Sequence, residues 1–290
     1  MFEIEPIVDC KNELGECPIW CGKENVLWWI DISKPSLFRF NPQTKKTDEW
    51  SLPKAIGSFA LRKSGGFLIG FRKGIATMQS PDSPVEWMDP PSDLHPNGRF
   101  NDGKCDALGR FWVGTMDKNV TEPIGALYRF DLQLKPTQMD KGFTISNGIS
   151  WSPDNRTMYF ADSPARIIYA YDFDLAQGNI ANRRVFASFD ETPGRPDGCT
   201  VDSEGFIWSA RVRGGRIDRY DPAGKIERSI VMPVSRPTSL VFGGPSMETL
   251  FVTTSTLTLT PEDLAKQPYA GAIFAIETGI KGHLEHAFAG

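Results

Sequence analysis

Short runs of mostly apolar residues recur along the chain at nearly even intervals. Neighbouring copies begin 40 to 49 residues apart. The runs are rich in β-branched and aromatic residues and lack the 3.6-residue periodicity of an amphipathic helix, so they predict β-strands. The six copies are LWWIDI from Leu27, FLIGFR from Phe67, FWVGTM from Phe111, MYFADS from Met158, IWSARV from Ile207 and LFVTTS from Leu250.

Turn sequences separate these predicted strands. KSGG, SPDNR and DSEG each precede a copy and supply Gly, Asn and Asp, which adopt the positive φ angles of tight hairpins. A second apolar strand follows most copies, as in ALYRFDL and RIDRYDP. Repeats of about 40 to 50 residues with several short strands are typical of β-propeller blades. We therefore predict an all-β fold, a six-bladed β-propeller, whose blades fill residues 16–278 of a single domain over residues 1–290. A pair of β-sandwiches is the alternative, but it would not explain six evenly spaced copies.

Four of the six repeats carry a carboxylate or a carboxamide ten or eleven residues before the recurring strand. In a propeller the first strand of each blade lies beside a central channel, so equivalent positions should converge on one axis. Buried carboxylates are costly without a counter-charge, and a bound cation would supply it. Oxygen ligands select a hard divalent ion, so we expect a central metal site for Ca²⁺, with Mg²⁺ or Mn²⁺ also compatible. For any one residue, capping of a turn or strand end is the alternative. The four residues are Glu16, Asn101, Asn147 and Asp197.

Composition and charge narrow the function further. The chain is 40% hydrophobic and 23% charged, with a net charge of -4 and no concentrated basic segment, which argues against nucleic-acid binding. No stretch approaches the roughly 20 apolar residues of a membrane helix. The acidic N-terminal segment does not have the pattern of a signal peptide. The five cysteines match no zinc or redox motif. We therefore expect a cytoplasmic protein with no membrane or nucleic-acid partner.

The segments around the polar repeat positions carry a resemblance to a known family. They are ELGECPIW, NGRFNDGKCDALGRFWVGTM, SNGISWSPD and RPDGCTVDSEGFIW, joined near the C-terminus by FGGPSMETLFVTT and GAIFAIETGIKG. Together they resemble the family of senescence marker protein, gluconolactonase and luciferin-regenerating enzyme, from about residue 8 to the C-terminus. The resemblance implies a six-bladed propeller with one central divalent metal ion and, for many members, hydrolysis of aldonolactones in carbohydrate metabolism.

The family's functional residues can be carried over position by position. Its metal ligands fall on Glu16, Asn147 and Asp197, and its substrate-contacting residues fall on Arg99 and Asn101 within RFND. For the ion itself the resemblance leaves Zn²⁺ and Fe²⁺ open beside Ca²⁺, Mn²⁺ and Mg²⁺.

One substrate-contacting position departs from some relatives. Where some animal members have an acidic residue that contacts substrate, this chain has Asn119, and the neighbouring Asp117 is the other residue that could serve. The resemblance therefore implies a small sugar lactone as substrate without fixing which one.

The predicted activity is that of a hydrolase acting on carboxylic ester bonds, with the ion polarising the lactone carbonyl and positioning water. Asp197 is the predicted catalytic residue, and Asp102 is the alternative general base. His95 lies in the loop before RFND and is either part of the channel mouth or an ordinary loop residue.

Two other functions stay open: an esterase or organophosphate hydrolase on the same scaffold, and a calcium-binding regulatory protein without turnover. Arg99 and Asn101 favour the lactonase, because a pure ion binder needs neither.

Overall fold

The computed structural model describes residues 2–189 and 193–290. Within these residues the strands form six four-stranded antiparallel sheets, each built from strands that are consecutive in the chain apart from the one that includes the N-terminal strand. The fold is a six-bladed β-propeller, which confirms the predicted fold class. Every recurring apolar run forms the second strand of its sheet, where it is buried almost throughout.

The chain divides into two compact units, here called unit 1 (Met1–Pro53 and Phe189–Leu284) and unit 2 (Lys54–Ser188 and Glu285–Gly290). Each unit contains three sheets. The single domain expected over residues 1–290 stays a prediction.

The N-terminal strand of unit 1, β1 (Ile4–Val8), completes the sheet formed by the last three strands of the chain, because it pairs antiparallel with β24 (Ile273–Glu277). The sheets of unit 1 are, first, β2 (Gly15–Cys21), β3 (Val26–Asp31), β4 (Ser36–Asn41) and β5 (Lys46–Ser51); second, β18 (Arg195–Val201), β19 (Ile207–Val212), β20 (Arg216–Tyr220) and β21 (Ile226–Val231); and third, β22 (Pro237–Gly243), β23 (Thr249–Thr254), β24 (Ile273–Glu277) and β1 (Ile4–Val8). Helix α1 (Pro261–Lys266) lies in the connection from β23 to β24 and is capped by Thr260 and Asp263.

The C-terminal segment belongs to unit 2, where Phe288 is buried in the core and its carbonyl accepts a hydrogen bond from the Lys63 amide at 2.8 Å. The sheets of unit 2 are β6 (Ile56–Leu61), β7 (Phe67–Phe71), β8 (Gly74–Met78) and β9 (Glu86–Met88); β10 (Gly98–Cys105), β11 (Phe111–Asp117), β12 (Gly125–Phe130) and β13 (Pro136–Phe143); and β14 (Ser146–Trp151), β15 (Thr157–Asp162), β16 (Ile167–Asp174) and β17 (Asn179–Ser188).

A buried turn with the same hydrogen bonds occurs once in each unit and fixes the start of a second strand. Asp106 in unit 2 accepts hydrogen bonds from the amides of Leu108 and Arg110 and, at 2.8 Å, from the indole of Trp112. Asp202 in unit 1 makes the equivalent bond to the indole of Trp208, also at 2.8 Å. Both aspartates are fully buried, and burial without these donors would be costly. The turn predicted from DSEG therefore owes its geometry to its first residue, Asp202, and the turn of residues 106–110 owes its geometry to Asp106.

Across the described ranges, no helix has the length and apolar character needed to traverse a bilayer.

Candidate functional site

The polar residues predicted from the repeat lie where the first strand of a sheet changes register against the second. The shifts fall between Glu16 and Ile19 in β2, Phe100 and Gly103 in β10, Asn147 and Ser150 in β14, and Pro196 and Cys199 in β18. Glu16 and Asn147 are the last paired residues before a shift, whereas Asn101 and Asp197 lie inside one. Such irregularities bend the strand and re-aim side chains, and they are common next to active sites.

Unit 2 brings three of the predicted residues together in one hydrogen-bonded group. The Asn101 amide nitrogen donates to Asn147 Oδ1 at 2.8 Å and to the Ser146 carbonyl at 2.9 Å. Arg99 Nη1 donates to Asn101 Oδ1 at 3.1 Å. Asn101 and Asn147 are buried, so the contacts satisfy groups that are largely removed from water. The arrangement orients both carboxamides and the guanidinium without any added group.

Two hydrogen bonds fix the orientation of the Asn147 carboxamide. Its amide nitrogen donates to Ser163 Oγ at 2.8 Å, which directs Oδ1 to the opposite side. That oxygen accepts one hydrogen bond from Asn101, and a carboxamide oxygen has two acceptor positions. The second position is of the kind that hard divalent ions use, so the local chemistry fits the predicted ligand role.

Asp102, the alternative general base, holds the strand segment next to Asn147. Its Oδ2 accepts a hydrogen bond from the Ile149 amide at 3.4 Å. Burial raises the pKa of the Asp102 carboxyl, and Lys104 and the amides of Gly148 and Ile149 act in the opposite direction. The geometry therefore gives Asp102 a supporting contact to the Asn147 turn.

Unit 1 contains the two predicted carboxylates, on strands that flank β22. Glu16 lies on β2 and is partly buried, and Asp197 lies on β18 and is 7% exposed. Both strands contact β22. The Thr238 hydroxyl on β22 donates to the carbonyl of Gly15, beside Glu16, at 2.5 Å. Strand β22 thus lies between the two carboxylates.

The segment that leads into Asp197 is held by a buried arginine. Arg211 is fully buried, and its Nη2 donates to the Pro193 carbonyl at 3.0 Å. Its Nη1 pairs with Asp218 at 3.0 Å and donates to the Tyr220 hydroxyl at 3.2 Å. The guanidinium is therefore neutralised inside the unit while it fixes the entry to β18.

Sequence reasoning missed two aspartates that support the site strands. Asp31 ends β3 and accepts hydrogen bonds from the amides of Glu13 (2.7 Å) and Leu14 (3.1 Å), directly before the Glu16 strand. Asp162 ends β15 and does the same for the segment before Asn147, with the amides of residues 144 and 145 at 3.1 and 3.2 Å. The signal was present, since LWWID and MYFAD place aspartate at the same repeat position.

Asn119 lies in the exposed turn after β11, and Asp117 at the end of that strand holds this turn together. The Asp117 carboxylate is 1% exposed and accepts hydrogen bonds from the amides of Thr121, Glu122 and Asn119 and from the Thr121 hydroxyl. These bonds, that from the Thr121 amide foremost, lower the pKa of Asp117. These hydrogen bonds of the carboxylate all lie within its own turn, which favours a structural role for Asp117. The backbone places Asn119 at the end of β11 that pairs with Gly98 and Arg99.

Within residues 2–189 and 193–290, no group of three or more His, Cys, Asp or Glu side chains is arranged to hold a metal ion. Of the three ligands predicted from sequence, Glu16 and Asp197 are of these residue types, whereas Asn147 is a carboxamide and is not. Its metal-binding role stays a prediction.

Comparison with known proteins gives the family. The profile described as the SMP-30/Gluconolactonase/LRE-like region matches residues 14–256. The chain belongs to this family. The family resemblance inferred from the repeat segments is thereby confirmed.

Individual members of the SMP-30/gluconolactonase/LRE-like family match over nearly the full chain. A 6-deoxy-6-sulfogluconolactonase from Pseudomonas putida is 36% identical, with 98% of both chains covered. Regucalcin from Xenopus laevis is 35% identical, with 100% of this chain and 99% of the relative covered. The crystal structure of a calcium-binding protein, regucalcin, from Agrobacterium tumefaciens superposes with a TM-score of 0.94 at 27% identity, covering 99% of this chain and 97% of the other. Sugar lactonases and regucalcins are therefore both among its relatives.

Proposed function

We propose that the protein is a metal-dependent hydrolase that opens an aldonolactone to the aldonic acid. The observation that carries this proposal is the Arg99–Asn101–Asn147 group, because it joins two predicted substrate-binding residues to a predicted metal ligand by hydrogen bonds. A protein that only binds calcium would not require a buried carboxamide and an arginine beside its ligand. The family and the lactonase from P. putida support the same substrate class.

Glu16, Asn147 and Asp197 are the proposed ligands of one divalent ion, with Ca²⁺ as the expected ion. Two carboxylates and one carboxamide oxygen are donors of the type that Ca²⁺ selects, and their two negative charges match its charge. When bound, such an ion would polarise the lactone carbonyl and lower the pKa of water.

The chain's own residues then bind and orient the substrate. Arg99 presents a planar array of donors suited to sugar hydroxyls and to the oxyanion that develops as the ring opens. The Asn101 side-chain nitrogen donates both of its hydrogen bonds, to Ser146 and Asn147. Asn101 would therefore contact the substrate through Oδ1, which already accepts a hydrogen bond from Arg99. Asn119 is proposed as a third substrate contact. Asp197 is the proposed catalytic residue, holding the attacking water through a carboxylate oxygen.

The direct test measures lactone opening with a pH-stat, which titrates the acid released. The panel would include gluconolactone, galactonolactone and the 6-deoxy-6-sulfo derivative of gluconolactone, each with spontaneous opening subtracted. Activity should appear with a divalent ion, disappear after chelation and return when the ion is restored. Asp197→Asn and Glu16→Gln should each lower kcat/KM by at least about a hundredfold, since removal of one electrostatic contact to the reacting centre typically costs that much.

Metal binding is measured separately by the rise in melting temperature on addition of Ca²⁺, which a ligand specific for the native state produces. Asp197→Asn should lose this rise, whereas Arg99→Ala should keep it and weaken turnover or substrate binding. Cleavage of a phosphotriester with every lactone at the background rate would support the organophosphate hydrolase instead. Stabilisation by Ca²⁺ without any turnover would support a calcium-binding protein. Cytoplasmic localisation stays a prediction.

A further inference from the structure

The segment before Arg99 is held by a lysine from the neighbouring sheet of unit 2. Lys73 lies in the two-residue turn between β7 and β8, where Phe71 pairs with Gly74. Its Nζ donates to the carbonyls of Pro96 and Gly98, both at 2.7 Å. The Arg72 carbonyl in the same turn accepts a hydrogen bond from the Phe100 amide at 3.1 Å. Backbone groups of residues 96, 98 and 100 thus all bond to this one turn.

On its other side, the segment before Arg99 bonds to β11 and to Lys118, and one further bond lies within the segment. The Asn97 carbonyl accepts a hydrogen bond from the Lys118 amide at 3.0 Å, and Arg99 pairs with Met116. The Asn97 amide donates to His95 Nδ1 at 3.1 Å. Bonds on both sides leave the backbone of Arg99 little freedom, which fixes the start of its side chain. His95 is therefore part of the loop that supports Arg99.

The Pro96 and Gly98 carbonyls both accept hydrogen bonds from the Lys73 ammonium group, so removing it would break both bonds at once. A lysine ammonium has three donors, so Lys73 can satisfy both carbonyls at once. Charge-assisted hydrogen bonds of this length are stronger than neutral ones. Without the ammonium, the loop would keep the Phe100–Arg72 and Lys118–Asn97 backbone bonds but lose the bonds at the Pro96 and Gly98 carbonyls.

We propose that Lys73 is a positioning residue that fixes the loop of residues 95–98 and thereby sets Arg99 for substrate binding. This inference rests on the proposed function, in which Arg99 contacts the lactone. Lys73 itself acts through the backbone of the loop and contacts no reacting group.

Lys73→Met removes the ammonium and keeps an unbranched stem of similar length. For gluconolactone, KM should rise about tenfold while kcat stays within about twofold, the pattern of lost binding that is common to ground and transition state. Lys73→Arg retains donors that can reach both carbonyls and should recover most of the loss. Hydrogen exchange gives a readout independent of turnover: the Gly98 and Phe100 amides should exchange faster in Lys73→Met than in the unmodified protein.

Lys118→Met is the matched control. It removes a positive charge from the same end of unit 2, but the bond to Asn97 comes from the Lys118 backbone and survives. Equal effects of Lys118→Met and Lys73→Met would overturn the proposal in favour of a general charge effect. Unchanged KM and unchanged exchange in Lys73→Met, with Arg99→Ala impaired, would overturn it while leaving the proposed function intact. Full activity in Arg99→Ala would refute the proposed role of Arg99 itself.

Discussion

The two units present chemically different residues at the same structural position. In unit 2, Asn101 and Asn147 lie on β10 and β14, strands that contact each other, and the side chains bond directly at 2.8 Å. In unit 1, Glu16 and Asp197 lie on strands separated by β22. A carboxamide can donate to another carboxamide, so Asn101 and Asn147 can lie side by side in unit 2. Two carboxylates repel each other, and in unit 1 a whole strand lies between the strands of Glu16 and Asp197.

The difference extends to the cations that support the two site strands. Arg211 in unit 1 donates to the carbonyl of Pro193, four residues before Asp197, and Lys73 in unit 2 donates to the carbonyls before Arg99. Arg211 is fully buried and paired with Asp218, whereas Lys73 is exposed. Burial makes the loss of one partner costly for the whole fold. Unit 1 therefore secures its site strand through the stability of its core, and unit 2 secures its own through a local surface contact.

The largest loss of stability is expected on replacement of Arg211, the buried cation of unit 1, and it tests whether burial makes the difference. Arg211→Met should lower the free energy of unfolding by about 3 kcal/mol, because Asp218 loses its fully buried counter-charge and keeps the partly exposed Arg216 and the hydroxyls of Ser229 and Tyr220. Urea unfolding followed by tryptophan fluorescence measures the change. Arg216→Met is the control, since Arg216 pairs with the same Asp218 at 3.1 Å but is 21% exposed, and it should cost about 1 kcal/mol or less. Equal losses in the two variants would contradict the role given to burial.

Close approach of strands next to the site is common to both units and can be tested by adding one methyl group. In unit 2, a Cβ on Gly57 would lie 2.7 Å from the Phe100 carbonyl oxygen and 2.9 Å from Asn101 Cα. In unit 1, a Cβ on Gly198 would lie 2.2 Å from Ser239 Oγ. Gly57→Ala and Gly198→Ala should each cost about 1–3 kcal/mol of unfolding free energy, as overpacking generally does.

Both variants should also lower activity. Gly57→Ala meets backbone atoms of Phe100 and Asn101, and Gly198→Ala meets Ser239 as far as its Cα at 2.8 Å. The first should displace Asn101 and the second the neighbouring Asp197, so each should lower kcat/KM for the lactone. Gly74→Ala is the control, because its Cβ would lie 3.7 Å from the nearest atom, the Met88 carbonyl oxygen, in ordinary contact. A cost in Gly74→Ala as large as that in Gly57→Ala would refute the packing argument.

The fold and the strand positions of the candidate site residues could be predicted from sequence because both follow from a repeat. Six copies of one apolar strand gave the number of sheets, and a fixed offset from that strand selected Glu16, Asn101, Asn147 and Asp197. The offset of ten residues for Asn101 and Asp197, against eleven for the other two, matches their places inside and before the register shifts.

The supporting contacts could not be predicted in the same way. Lys73 contacts carbonyls 23 and 25 residues away, and Arg211 reaches a carbonyl 18 residues away. Such contacts depend on which turn faces which loop, and backbone carbonyls carry no sequence signal. Asp31 and Asp162 differ from these two cations, because LWWID and MYFAD place both aspartates at the same repeat position, within the recurring strand rather than upstream of it.

The smallest effect is expected at the turn that carries Asn119, where Asp117 can be compared with Asp31 of unit 1. The Asp31 carboxylate bonds to the segment that precedes a site strand, whereas the Asp117 carboxylate bonds within its own turn, so Asp117→Asn should affect local stability more than metal binding. Because hydrogen bonds lower the pKa of Asp117 in the folded state, its stabilising contribution is present above the usual carboxyl pKa of about 4 and is lost as the pH falls below it. The melting temperature of Asp117→Asn should thus be a few degrees lower than that of the unmodified protein at pH 7, and the gap should narrow as the pH falls from about 4 towards 2. Calorimetry over this pH range measures the gap, and a constant difference would show that the carboxylate charge contributes nothing to the turn.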